Sequence, residues 1–275
     1  MYLNKKIHDI LLKLACDTFP GRQFEQFSVE IIAKAMASRH GDYHKAPGKS
    51  AKIRVVNLER GTSHIVCTSI HEVAHHCEMC LHGNTGHSKR FYEIYSQLLE
   101  RALQDRLITL DMIEDKWDIQ KLQKKVGHLS VAPGQAEAAD NGSRTIKIRN
   151  GFEIKDVLKQ KGYAWNGIEL TWCKDVAAVE LNAEIAWLRS LTAEENIVVS
   201  AEAVSIDCQH LVLAEGNTFP VKDQLRGAGY SFKGFKVEIP AWVKRVPQSQ
   251  LETECAFLGS LPEVEYRTVI FRWGK

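Results

Sequence analysis

The chain has 275 residues, of which 44% are hydrophobic and 25% charged, and its formal net charge is +2 at pH 7. This composition is ordinary for a globular protein and leaves room for two domains or more. No apolar run approaches the roughly 20 residues that a membrane helix needs, so we expect no membrane partner. So small a net charge does not by itself indicate nucleic-acid binding.

The N-terminal segment does not have the pattern of a signal peptide, because Asp9, Lys13 and Asp17 interrupt its apolar residues. The seven cysteines are odd in number and irregularly spaced, which is typical of reduced thiols rather than a disulfide framework. Both observations favour a cytoplasmic protein.

The first elements follow from apolar periodicity. Apolar residues at helical spacing predict a helix over 3–17, and a second amphipathic helix is predicted over 24–40. The segment 41–50 is interpreted as a loop. An alternating, β-branched run then predicts a strand over about 52–58.

The next helix, predicted over 62–82, contains the sequence His71-Glu72-Val73-Ala74-His75. Residues four apart lie on one helix face, so His71 and His75 can direct two imidazoles at one metal ion. Glu72 lies beside them, where it can reach an activated water rather than the metal. This arrangement is the H-E-x-x-H pattern of zinc hydrolases.

A catalytic zinc site usually has a third protein ligand. We expect His87, because it opens the next predicted helix, over 87–105, after a loop that lets the chain turn back. His82 and His76 are the alternatives. His76 points about 100° around the helix from His75, and His82 lies close to the end of the same helix.

The order HEVAHH, a short loop and then GHSKRF resembles the SprT-like (Spartan-type) zinc metalloproteases, in which H-E-x-x-H precedes a G-H-G-x-x-F segment. Gly86, His87 and Phe91 match the second segment, and Ser88 stands where the family usually has glycine. The resemblance covers about residues 1–105. The four-cysteine zinc ribbon with which bacterial members often end does not occur in this sequence.

The resemblance implies a zincin-like, mainly helical domain with a small edge sheet, which we place at 1–128. It also implies one Zn²⁺ ion held by His71, His75 and His87, with Glu72 as general base. Characterised members cleave proteins that are bound or crosslinked to DNA, so a protein or peptide substrate is expected and DNA is a possible partner.

Two further roles are hypotheses at this stage. Tyr92 and Tyr95 follow His87 on its helix, and either could donate a hydrogen bond to the oxyanion or contact the substrate. The strand over 52–58 could hold an extended substrate by strand addition, if it lies at a sheet edge beside the metal helix.

The segment 109–127 is predicted to form another helix. Its apolar side chains are expected to face inward; they are Leu110, Ile113, Trp117 and Leu122. Residues 129–144 lack periodicity and are rich in alanine, glycine, aspartate and serine, so we interpret them as a linker.

The remainder is an internal repeat, with a first copy at 145–207 and a second at 208–275. At an offset of 67 residues, seven positions recur: Phe152, Lys155, Asp156, Leu158, Gly162, Tyr163 and Gly167 match Phe219, Lys222, Asp223, Leu225, Gly229, Tyr230 and Gly234. Each copy is predicted to fold as a small α+β module with a leading and a closing strand. The whole chain is therefore predicted to be α+β.

The repeat resembles a short module of bacterial and phage proteins with the pattern F-x-V-K-x-x-L-K-x-x-G-x-x-W, whose role is poorly defined. Its aromatic residues could contact nucleic acid or substrate, or could form the module core. These residues are Trp165, Trp172, Phe232 and Trp242.

Three hypotheses follow. The first is a zinc endopeptidase, acting on proteins that can include DNA-associated ones. The second is a DNA- or RNA-associated factor whose repeats carry the function, with a structural or regulatory metal site. The third is a zinc hydrolase of another substrate, such as a peptide or a cell-wall amide.

Overall fold

The computed structural model describes residues 2–113, 116–129, 143–200, 204, 207–237 and 239–271. Over these residues the chain is a mixed α+β protein. The helices are α1 (Tyr2–Thr18), α2 (Gly61–His82), α3 (Lys89–Gln104), α4 (Lys116–Val126), α5 (Lys155–Gln160), α6 (Leu181–Arg189), α7 (Lys222–Gly227) and α8 (Gln248–Gly259).

The strands form three small sheets. They are β1 (Phe27–Ile31), β2 (Gly41–His44), β3 (Ala51–Val55), β4 (Ser143–Ile148), β5 (Ala164–Asn166), β6 (Thr171–Ala177), β7 (Ile197–Ser200), β8 (Gln209–Gly216), β9 (Ser231–Phe232), β10 (Trp242–Pro247) and β11 (Val264–Ile270). None of the helices among the described residues combines the length and the apolar character needed to cross a membrane.

The chain divides into two compact units. One comprises Met1–Asn166 with Thr171–Ser205, and the other comprises Gly167–Leu170 with Ile206–Lys275. Most of the first repeat thus belongs to the same unit as the N-terminal helices. The linker predicted at 129–144 lies outside the described residues at 130–142, and its last two residues already belong to β4.

The first unit begins with helices packed on a three-stranded sheet of order β1-β3-β2. β1 runs parallel to β3, and β2 runs antiparallel to it. In β1 the side chains of Phe27, Val29 and Ile31 alternate toward the core, and α1 covers this face with Leu3, Ile7, Leu11 and Leu14.

The helix predicted over 24–40 is wrong, because this segment contains β1. The apolar residues at 27, 29 and 31 have a period of two, which is the strand signal, and the glutamate and serine between them face away from the core. The loop predicted over 41–50 is wrong for its first four residues, which form β2.

The strand predicted over 52–58 corresponds to β3, but its expected place at a sheet edge is wrong. β3 lies in the middle of the sheet and pairs with both neighbours. Among the described residues the edge on the side of α2 is β2.

The helices predicted over 3–17, 62–82 and 87–105 are confirmed, with bounds that differ by at most two residues. The single helix predicted over 109–127 is wrong at its start, where Leu110–Met112 form a separate 3-10 turn, and its later part corresponds to α4. Leu122 in α4 is buried, whereas Leu110 is 59% exposed and the prediction that it faces inward is wrong. The side chain of Trp117 lies outside the described residues.

The two modules of the C-terminal half have the same connectivity. In the first, the sheet order is β5-β6-β4-β7, with α5 between β4 and β5 and α6 between β6 and β7. In the second, the order β9-β10-β8-β11 repeats this arrangement with α7 and α8. Gly162 and Gly229 end the short helices with the same positive φ of 89°, a conformation that suits glycine.

A polar network joins α1 to the first module. The Tyr2 hydroxyl and the Lys6 ammonium each donate to Asp175 Oδ1 at 2.8 Å, and Thr145 Oγ1 donates to the same oxygen at 2.5 Å. Burial alone raises the pKa of Asp175, but the hydrogen bonds from Lys6 and Thr145 outweigh it and lower the pKa. Arg245 is the counterpart of Asp175 in the second module, so this contact belongs to the first copy only.

Candidate metal centre

Three histidine side chains converge on the wall of a cleft. His71, His75 and His87 each offer one ring nitrogen, and these nitrogens lie within 4.8 Å of one another. The Nε2 atoms of His71 and His87 are 3.1 Å apart. Two nitrogens on one tetrahedral zinc ion are separated by about 3.3 Å, given Zn–N bonds of 2.0–2.1 Å. The spacing therefore fits a shared metal ion.

The first two histidines are brought together by helix geometry alone. They lie one turn apart on α2, and their ring centroids are 5.0 Å apart. The helix ends at Gly83, whose φ of 75° places it in the left-handed region while its amide donates to the Met79 carbonyl. This reversal returns the chain over the last turns of α2.

The third histidine is positioned by a buried carboxylate, Glu78. Its side chain accepts hydrogen bonds from the Gly86 amide at 3.0 Å and from Thr85 Oγ1 at 2.8 Å. It also accepts from Ser88 Oγ at 3.2 Å and from Arg90 Nε at 3.1 Å. Burial raises the pKa of Glu78, but these hydrogen bonds outweigh it and lower the pKa. The loop that carries His87 is therefore fixed from α2.

Ser88, which departs from the family pattern, has a structural role. It is the N-cap of α3, and its Oγ accepts from the Phe91 amide at 3.3 Å while donating to Glu78. The serine thus links the start of α3 to the carboxylate that orders the loop.

The hydrogen bonds of Thr85 fix the tautomer of His75. The hydroxyl has one proton, which it donates to Glu78, so its oxygen accepts from Nδ1–H of His75 at 2.8 Å. The Nε2 of His75 then carries its lone pair toward the other two rings. A metal ligand oriented through its second nitrogen in this way is a recurrent feature of metal sites.

His71 is oriented by Asp118 of α4, a residue that the sequence analysis did not identify. Asp118 Oδ2 lies 2.5 Å from His71 Nδ1, and Oδ1 accepts from the Tyr92 hydroxyl at 3.3 Å. Burial raises the pKa of Asp118, but the hydrogen bond and charge of His71 outweigh it and lower the pKa. The available sequence signal was the position of Asp118 four residues before buried Leu122, on the inward face of α4.

The surroundings favour the neutral forms of His75 and His87. Burial, together with the charges of His71 and His87, lowers the pKa of His75 to about 3, while Asp118 opposes the shift. Burial and the charge of His71 also lower the pKa of His87. A metal ion binds the neutral imidazole, so these shifts favour binding near neutral pH.

Glu72 lies buried beside the histidines and lines the same cleft. Burial raises its pKa to about 7, and His71 opposes this rise while Asp42 and Asp118 add to it. Gly41 of β2 allows the close approach. A Cβ atom at that position would lie 2.8 Å from Glu72 Oε1 and 2.9 Å from the Arg54 carbonyl oxygen.

The alternative third ligands lie elsewhere. His76 is fully buried and packs on Phe27, with 4.8 Å between ring centroids, while its Nε2 contacts the Glu25 carbonyl at 3.0 Å. His82 is exposed at the end of α2 and does not belong to the cluster found among the described residues.

The two tyrosines have different environments. Tyr92 is fully buried and its hydroxyl contacts Asp118, so the expectation that it contacts an oxyanion or substrate is wrong. Tyr95 lines the cleft, and its ring centroid lies 5.3 Å from that of His71. Tyr95 therefore remains the candidate for the contact with the oxyanion or the substrate.

The cleft has a volume of about 540 Å³. The three histidines, Glu72 and Tyr95 line it together with residues 41–43 of β2. It also contains the basic side chains of Arg39 and Arg60. A cleft of this size can admit a short segment of an extended chain.

The aromatic residues singled out in the repeats mostly form the module cores. Trp172 and Trp242 are buried in equivalent clusters, and Trp165 is half-buried against the first of these. Phe232 is 53% exposed and its ring centroid lies 5.7 Å from that of Trp242. A contact role for Trp172 and Trp242 is therefore not supported.

Comparison of the chain with protein-family models, with curated proteins and with solved structures gave no match.

The set of possible metal ligands is informative by itself. Three histidine nitrogens, two of them with an oxygen partner at the second ring nitrogen, could hold one metal ion, and zinc accepts such a donor set.

Proposed function

We propose that the chain is a zinc-dependent endopeptidase of the SprT-like type, acting on protein or peptide substrates. One observation carries this proposal: three convergent imidazoles lie beside a buried carboxylate, Glu72, in a cleft that β2 also lines. The family resemblance extends the proposal to DNA-associated protein substrates.

In the proposed mechanism, His71, His75 and His87 hold the metal, and Asp118 and Thr85 keep the first two rings in the ligating orientation. Zn²⁺, when bound, supplies Lewis acidity that makes water nucleophilic near neutral pH. Glu72 accepts a proton from that water and delivers it to the leaving amine. Its buried setting keeps the proton transfer away from bulk solvent.

Two further groups complete the mechanism. Tyr95 lines the cleft, and its hydroxyl is the proposed donor to the oxyanion that forms at the attacked carbonyl. The substrate backbone is proposed to pair with the outer edge of β2. The amide of Val56 donates to the carbonyl of His40, so in this antiparallel register the backbone groups of Gly41 and Tyr43 face away from β3.

The edge pairing predicts an effect of proline at position 43. Tyr43→Pro removes an outward amide without removing a ladder bond to β3, so we expect slower cleavage with normal zinc content. Tyr43→Ala, which removes the side chain and keeps the amide, serves as the matched control. If Tyr43→Ala cleaved the substrate more slowly than Tyr43→Pro, the result would contradict the proposed pairing.

The proposed activity is tested with the purified full chain and an unfolded, fluorescently labelled protein. We expect cleavage that stops when a chelator removes zinc and returns when Zn²⁺ is added back, because the proposed nucleophile depends on the metal. Cleavage that continues in the chelated protein, or a zinc-loaded protein that never cleaves the substrate, would contradict the proposal.

A further inference from the structure

The two modules provide an internal comparison of exposed positions. Most exposed residues around the short helices differ between copies: Glu153, Val157 and Gln160 are replaced by Pro220, Gln224 and Gly227. One exposed position is an exception, because both copies have phenylalanine there. Phe152 is 73% exposed, and its counterpart Phe219 is 75% exposed.

Each exposed phenylalanine has a lysine over its ring. The Nζ of Lys155 lies 4.1 Å from the centroid of Phe152, and the Nζ of Lys222 lies 4.3 Å from that of Phe219. The backbone turn is also the same, because each lysine amide donates to the phenylalanine carbonyl, at 3.3 and 3.4 Å. We call Phe152 with Lys155, and Phe219 with Lys222, the aromatic–lysine pairs.

A second cation follows each pair by one helical turn. Lys159 and Arg226 occupy equivalent positions, and each charged group lies 5.8 Å from the centroid of a core tryptophan. Both cations donate to an aspartate three residues earlier, Lys159 to Asp156 at 3.5 Å and Arg226 to Asp223 at 2.8 Å. One ring and two cations therefore lie along the same side of both short helices.

Packing does not account for these rings. The core of the first module is built from residues such as Leu158, Tyr163 and Trp172, and the counterparts of these three build the second core. An exposed phenylalanine buries little area in the folded chain, so packing within the module does not explain its presence in both copies.

We propose that the aromatic–lysine pairs bind single-stranded nucleic acid. A base stacks on each phenylalanine ring, and the phosphates contact Lys155 and Lys159 in the first module and Lys222 and Arg226 in the second. A duplicated site suits a ligand that itself repeats, and two cations beside each ring suit a polyanion. The C-terminal half as a whole has a small excess of acidic residues. The attraction for phosphate therefore comes from the cations beside the two rings and not from the net charge of this half.

The proposal is tested with the full chain and a labelled oligo-dT of about 12 nucleotides, by fluorescence anisotropy at low and moderate salt. We expect wild-type binding that weakens with salt. The double variant F152A/F219A is expected to lose about tenfold or more in affinity, because stacking on each ring is removed. F152L/F219L, which keeps apolar bulk but not the π-face, is expected to bind as weakly as F152A/F219A.

Phe235→Ala is the matched control, because this ring is also exposed but has Ile168 as its counterpart. It is expected to bind like the wild type. The variant K155Q/K222Q is expected to bind more weakly and with a smaller salt dependence, and it keeps both rings if the alanine variant fails to fold.

Several outcomes overturn the proposal. These are a wild type that does not bind the oligonucleotide, a double alanine variant that binds as tightly as the wild type, or an equal loss in Phe235→Ala. Binding of an acidic peptide instead of the oligonucleotide, lost in the same variants, would assign the pairs to a protein partner. Glu72 variants should bind normally, so this result is independent of the peptidase assay.

Discussion

The variant Glu72→Gln is expected to lose peptide hydrolysis while retaining zinc. Glutamine keeps the shape of the side chain and its place beside Gly41, but it cannot accept a proton from the nucleophilic water. The loss of a general base lowers the rate by roughly 10²–10⁴-fold. The measurement is the cleavage rate of the labelled protein at matched zinc content.

Glu93→Gln is the control for this substitution. Glu93 is exposed on α3 and its carboxylate pairs with the exposed Lys89, so its replacement should leave both activity and stability almost unchanged. Hydrolysis that survives in Glu72→Gln at the wild-type rate would show that another group accepts the proton. The proposed role of Glu72 would then be wrong.

The variant His87→Ala is expected to lose most of its metal. Removing one of three ligands leaves two imidazoles on α2, and the loss of affinity should exceed the roughly 10–100-fold that follows removal of an outer hydrogen-bond partner. The measurement is the zinc content of the purified variant after dialysis against a weak competing chelator.

His82→Ala is the matched control, because it removes an exposed histidine five residues earlier at the end of α2. It should retain zinc like the wild type. If His82→Ala lost zinc and His87→Ala kept it, the ligand from outside α2 would have been misassigned.

The helical part of the site was predictable from local spacing. His71 and His75 lie one turn apart in any α-helix, so the motif alone brings them together. Gly83 and the polar loop after it indicate that the chain turns back, which brings His87 within reach. These features depend on neighbouring residues, and for that reason a sequence pattern can reveal them.

The supporting residues were not predictable in the same way. Asp118 reaches His71 from a helix that lies more than forty residues later, and an aspartate on an amphipathic helix is usually solvated. Glu78 has four partners in the following loop and at the start of α3, but its burial depends on how that segment folds. Such contacts depend on tertiary packing, which one sequence does not specify locally.

The errors in the sheet have a related cause. The β1 segment has both helical and alternating apolar positions, and only its pairing with β3 selects the strand. β2 is short and polar, so its propensity is weak and pairing again determines it. The substrate edge was therefore assigned to the more apolar β3, which lies in the middle of the sheet.

The repeats illustrate the difference between core and surface. The recurrent tryptophans at 172 and 242 were compatible with either a contact surface or the module cores, and the structure places them in the cores. The exposed rings at 152 and 219 recur equally, and only the structure separates them from the buried positions. Sequence recurrence alone does not distinguish a residue kept for packing from one kept for binding.

X-ray absorption at the zinc edge of the purified wild-type protein tests the central claim most directly. The account predicts about one zinc ion per chain with three imidazole nitrogens at about 2.0–2.1 Å and one light oxygen ligand. Sulfur ligands at about 2.3 Å, which Cys77 and Cys80 would supply, or a protein that takes up no zinc, would contradict it.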